Sequence, residues 1–188
     1  MLSDDSGSGN NEGRLFTRHE QEAVDFFREY PDIICNTLRY PTQLEKEDEW
    51  SSFLAFLKNL DSALCKSSLG RNRLLFHGVR SEFVERLLFL LDIPADPERR
   101  TTADFTPHVI QDPSYVMFTS RASAAIDRSA KSGSRQVFFV YEGVPADSAL
   151  PMDKNYDEIL FPRNSRWLTT GHSRTGSGIT CIALEKFA

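Results

Sequence analysis

The sequence predicts an α+β fold, in which a helical segment comes first and short strand-like runs follow, interrupted by two helices without the regular alternation of a βαβ protein. The first observation behind this is the three- and four-residue recurrence of apolar side chains between residues 17 and 69. The second is the change of pattern after Leu69, where apolar stretches shrink to a few residues bounded by Gly, Pro or charged groups. The third is length: 188 residues, 40% of them hydrophobic, suffice for one domain with a substantial core.

Taken in order, residues 1 to 13 are Ser, Asp, Gly and Asn with almost nothing apolar, a composition that cannot repay the entropy of ordering, and they are expected to be a disordered tail. A single domain is expected over 14 to 188, with its helical part at about 17 to 69. Thr17 is placed to cap a helix carrying Ala23, Phe26, Phe27 and Tyr30, which Pro31 breaks. A second short helix is expected over Asp32 to Arg39. The clearest one follows, with Trp50, Phe53, Leu54, Leu57, Leu60 and Leu64 on one face. Leu74-Leu75-Phe76 then marks a buried strand. Ser81 caps a helix with Phe83, Val84, Leu87, Leu88 and Leu91 that stops before Pro94, and a loop covers Asp92 to Pro113. Strands are expected at Tyr115 to Phe118, Gln136 to Val144, Glu158 to Phe161, Trp167 to Thr169 and Ile179 to Leu184. An Ala-rich helix at Ser120 to Ala130 separates the first two, with Gly133 past its end.

Composition narrows the function. A net charge of -5 argues against a dedicated nucleic-acid binder, which needs an excess of Lys and Arg to neutralise phosphates. No apolar run approaches the roughly 20 residues that cross a bilayer, and the first residues lack the basic and apolar regions of a secretory signal, so no membrane association is expected. Cys35, Cys65 and Cys181 are widely spaced without a C-x-x-C pair, and His19, His77, His108 and His172 are scattered. Neither a disulfide framework nor a metal site is expected.

Three features stand about 40 residues apart: Phe76-His77-Gly78 at a strand end, Phe118-Thr119-Ser120 at a strand-to-helix junction, and Tyr156-Asp157-Glu158 opening a strand. Such intervals suit three strand ends converging on one cleft. Upstream lies Leu60-Asp61-Ser62-Ala63-Leu64-Cys65-Lys66, and Glu158 continues as Ile159-Leu160-Phe161-Pro162-Arg163-Asn164-Ser165-Arg166-Trp167. With these motifs the chain, over roughly residues 50 to 185, resembles the ADP-ribosyltransferase superfamily. The leader phrase and the strand opened by Glu158 are similar to the bacterial toxin branch. Leu74-Leu75-Phe76-His77-Gly78-Val79-Arg80 is similar to the polymerase branch, where the toxins carry Arg in place of His77. Phe118 stands where the toxins have Ser, and Met117 where a polymerase-like enzyme has Tyr.

The resemblance implies N-terminal helices followed by a split, antiparallel-rich sheet, with NAD as substrate and no metal. It implies a mono-ADP-ribosyltransferase that moves ADP-ribose to a protein side chain and releases nicotinamide. Glu158 would be the catalytic carboxylate, because breaking the nicotinamide–ribose bond builds positive charge on the sugar that an anion on the ribose hydroxyls stabilises. His77, Gly78, Thr119 and Ser120 would hold NAD. Tyr156, in place of the Glu or Gln that helps select the acceptor in toxins, would lie on the acceptor side. The implied partners are NAD and a target protein, with no nucleic acid and no membrane, and a monomer is expected. By analogy, the chain would be a bacterial effector or toxin, secreted or translocated into a host cell, or otherwise cytoplasmic.

Each residue also has a plainer role open to it: Glu158 as an exposed acid before a strand, His77 as a hydrogen-bonded core histidine, Thr119 and Ser120 as helix caps. The altered motifs give the alternative function, a catalytically degenerate module of the same fold that binds a partner protein. A transferase acting on RNA phosphate is disfavoured by the acidic balance and by the missing Arg-His pair of that branch.

Overall fold

The computed structural model describes residues 16–41, 47–93, 105–129, 135–153, 157–175 and 178–187. The tail expected over 1 to 13 and Tyr156 lie outside the described residues. Three helices open the fold: α1 (Arg18–Glu29), α2 (Pro31–Arg39) and α3 (Glu47–Cys65). They are followed by β1 (Arg73–Gly78), α4 (Ser81–Leu90), β2 (Val109–Gln111), β3 (Val116–Thr119), α5 (Ala122–Ser129), β4 (Val137–Gly143), β5 (Leu150–Pro151), β6 (Glu158–Phe161), β7 (Arg166–Arg174) and β8 (Thr180–Phe187).

Thr17 caps α1 as expected: its hydroxyl accepts from the Glu20 backbone N–H, and Glu20 accepts from the Thr17 N–H in return. Pro31 does more than end that helix, because it starts α2 at a position where its missing N–H costs nothing. Ser81 lies inside α4, whose N-cap is Arg80. The Ala-rich helix begins at Ala122, two residues later than expected. The segment read as loop from Asp92 to Pro113 contains the strand β2, and β5 had no counterpart in the sequence reading.

The strands form one sheet in the order β2-β7-β8-β4-β1-β3-β6-β5, antiparallel throughout except for the β4/β8 pair. It is nearly split in two. β1 and β4 pair from Arg73↔Gly143 to Gly78↔Phe138, whereas β1 meets β3 only at Phe76↔Thr119.

Two cores lie on the two faces. Ala23, Val24 and Phe27 of α1 join Leu57, Leu60 and Leu64 of α3 over Tyr115, Leu150 and Leu160, so the N-terminal helices cover the β3-β6-β5 half. On the other face, Val84, Leu88 and Leu91 pack with Leu75, Phe118, Tyr141, Phe161, Trp167 and Ile182. Truncating any one of the largest of these to Ala costs about 3–5 kcal/mol.

Polar ties fasten the helices down, and they come from the leader phrase at the end of α3. Asp61 accepts from the Tyr115 hydroxyl at 2.7 Å and from Arg163 Nε and Nη2 at 2.9 and 2.8 Å. Burial, and then the Asp61 carboxylate, push the Tyr115 pKa up, which keeps the donor proton in place. Ser62 and Lys66 both donate to Glu20, whose side chain is 5% exposed. Lys66, then Ser62 and the Thr17 N–H, hold the Glu20 pKa down to about 2 from its ordinary 4.5. Such a group stabilises the fold fully above its ordinary range, and the contribution is lost as pH falls from there through the depressed value.

Gly78 is set by packing, because a Cβ there would overlap the carbonyl oxygen of Ala125 in α5. Gly78→Ala is therefore expected to push α5 off β1, lowering stability by about 1–3 kcal/mol in a denaturant melt. Glu20→Gln should lower the melting temperature at neutral pH. The variant should also flatten the acid limb of the wild-type melting curve between pH 4.5 and pH 2; an unchanged acid limb would show that Glu20 is not linked to folding.

Candidate active site

Where the two halves of the sheet diverge, a cleft of about 1040 Å³ opens between α2, α4 and the strands. His77, Gly78, Phe83, Arg86, Arg128 and Trp167 are among its lining residues. The volume lies at the upper end of small-molecule sites, large enough for a dinucleotide.

Glu158 stands at the first position of β6, directly across from Thr119 on β3. Its side chain is 35% exposed and forms an ion pair with Arg128, a residue of α5 that also lines the cleft. Asp153 supports the strand entrance by accepting from the Asp157 N–H at 2.7 Å. Alternation along β3 and β6 places Thr119 and Glu158 on the face of Met117 and Leu160, and Phe118, Ile159 and Phe161 on the other. The β1 residue across from Thr119 is Phe76.

His77, one residue further, turns its ring to the opposite face, 5.5 Å from the Phe118 ring and stacked on Phe139 at 6.2 Å. Its Nδ1 lies 2.8 Å from the Met117 carbonyl oxygen, which only accepts, so Nδ1 carries the proton. Burial is the main influence on this ring and lowers its pKa; the ring is therefore neutral at pH 7, and Nε2 is left as an acceptor. His77 thus lines the cleft as an uncharged ring and does not share the face of Glu158.

The Thr119 hydroxyl accepts from the Arg121 N–H at 3.1 Å, which shapes the entry to α5. Ser120 donates to Asp157 Oδ1 at 3.0 Å and faces a second cavity of about 370 Å³ with Arg71, Asn72 and Asp157. Of the residues expected to hold a dinucleotide, His77 and Gly78 therefore line the large cleft, Thr119 sits beside Glu158, and Ser120 belongs to a neighbouring cavity. Gly78 has the packing reason already described. Two site residues had no sequence signal. Arg128 is a charged residue in the last turn of a short helix, which sequence patterns assign to solvent. Asp157, held by Ser120 and Arg121, was read only as part of the strand entrance.

No protein-family model and no curated protein matches the sequence. Solved structures do match in fold. The C3 exoenzyme of Clostridium limosum superimposes with a TM-score of 0.65 at 11% identity, over 93% of this chain and 88% of that one. The Vis toxin of Vibrio splendidus, an ADP-ribosyltransferase, gives 0.64 at 16% identity, over 95% and 78%. C3stau2 of S. aureus, solved with NAD, gives 0.61 at 12% identity, over 93% and 90%. The helical layer in front of a nearly split sheet is therefore a fold shared with these bacterial ADP-ribosyltransferase toxins.

Proposed function

We propose that the protein is a mono-ADP-ribosyltransferase that transfers ADP-ribose from NAD to a side chain of a target protein and releases nicotinamide. The observation that carries this reading is Glu158: a partly exposed carboxylate at the sheet split, joined through Arg128 to a dinucleotide-sized cleft. In the reaction the C1′–N bond of the nicotinamide riboside breaks with its electron pair leaving on nicotinamide, and the acceptor heteroatom bonds to C1′ and gives up a proton.

Glu158 supports this step by accepting a hydrogen bond from a ribose hydroxyl while positive charge grows on the sugar. The neutral His77 offers Nε2 to a hydroxyl of the cofactor and orients it. Trp167 and Phe83 supply apolar walls that exclude water from the bond being broken. Asp157 and Ser120, beside Glu158 but turned to the second cavity, mark the side on which the acceptor enters. The protein acts as a bacterial effector delivered into a host cell, and as a monomer; the basis is analogy with the toxins of similar fold.

The alternative is a degenerate module of the same fold that binds a partner. It is favoured by Phe118, which is buried among Tyr141, Phe161 and Trp167 and brings no hydroxyl to the site. Incubating the protein with labelled NAD and a host-cell lysate separates the two. Labelled protein bands and free nicotinamide are expected with the wild type. Glu158→Ala should lower both by at least about 100-fold, while thermal stability changes by less than about 1 kcal/mol because the ion pair is exposed. Neither labelling nor nicotinamide release by the wild type would move the assignment to the binding module.

A further inference from the structure

A dinucleotide brings two diphosphate charges into the cleft, and the protein must meet them with cations. The first-strand position that holds Arg in the toxin branch holds the uncharged His77 here, so the charge has to come from elsewhere. Arg39 is held by Asp112 through both carboxylate oxygens, and Arg80 by Asp32, on the α2 side, while Arg86 of α4 also lines the cleft. Arg128 differs in its partner. It is the cleft-lining arginine whose counter-ion is Glu158, the group needed on the ribose.

The backbone of Arg128 is well anchored. α5 is seated on β1 at Gly78, so closely that the Arg128 Cβ lies 3.2 Å from the point where a Gly78 side chain would begin. The guanidinium beyond it is 42% exposed, paired with the Glu158 carboxylate on a side chain that also lines the cleft. A planar guanidinium fork accepts carboxylate or phosphate oxygens in the same geometry, so one can replace the other without moving the helix.

We propose that Arg128 is a counter-ion switch: it neutralises Glu158 in the empty site and transfers to the dinucleotide diphosphate on binding, releasing the Glu158 carboxylate for the ribose. The inference rests on the transferase reading and adds to it an order of events. Glu158 and the diphosphate compete for one guanidinium, so the carboxylate weakens binding in the ground state and becomes available only in the loaded site.

Competition of this kind has a signature that a purely structural ion pair lacks. Titration calorimetry of the full chain with ADP-ribose, which has the diphosphate but no nicotinamide to lose, should show Glu158→Gln binding about threefold to fivefold tighter than wild type. Arg128→Gln should bind roughly tenfold or more weakly, and Arg128→Lys, which keeps the charge but loses the fork, should fall between. The double variant should bind like Arg128→Gln alone, since without the guanidinium Glu158 has nothing to withhold. Adenosine, lacking the diphosphate, should bind all four variants and the wild type equally. If NAD and ADP-ribose bind the wild type but Glu158→Gln leaves affinity unchanged or lowers it, the switch is wrong and the transferase reading stands. If neither ligand binds any of the proteins, both are wrong.

Discussion

The position of the site depends first on Asp61. One half-exposed carboxylate on the last turns of α3 receives the hydroxyl of Tyr115, just before β3, and the guanidinium of Arg163, just after β6. β3 and β6 are the strands that carry Thr119 and Glu158. A single acidic side chain thereby fixes the helical layer to both of these strands. Without it, two donors would be left partly buried and unsatisfied, a more costly state than never having had them. Glu20 repeats the arrangement one layer out, tying α1 to α3 through Ser62 and Lys66.

This gives a physical meaning to the phrase from Leu60 to Lys66. Its apolar members Leu60, Ala63 and Leu64 are fully buried, and its polar members Asp61, Ser62 and Lys66 each make a tie to another element. The same holds for Arg163 in the phrase after Glu158. In this chain these motif residues tie the helical layer to the strands, so what they record is the scaffold. That is why the architecture was legible: helical periodicity, a capping threonine and strand runs such as Ile159-Leu160-Phe161 follow from local rules. The missed strands, β2 and β5, are three and two residues long and owe their conformation to pairing with β7 and β6, which no local pattern records.

The site was legible only in part, and the reason is the pleat. An interval of about 40 residues between motifs indicates that strand ends can converge, but not on which face each side chain emerges. At β1 that uncertainty is one residue wide: Phe76 falls across from Thr119, and His77 points the other way. Glu158 is singled out in the sequence by the phrase it opens, which resembles the toxin branch, and the structure places it at the head of β6, paired with Arg128. Arg128 carries no such signal, since its place beside Glu158 follows from the seating of α5 on Gly78, a contact between segments about 50 residues apart.

The strand order has a consequence for how the chain is made. β8 lies within the sheet, between β7 and β4, and among the described strands it is the one that pairs the β2-β7 ribbon with the rest. Its pairing with β4 is parallel, so it cannot form as a hairpin. Until β8 is in place, the edges of β4 and β7 that it covers have no pairing partner on that side. Two strand edges therefore stay open to another chain for as long as that step is delayed.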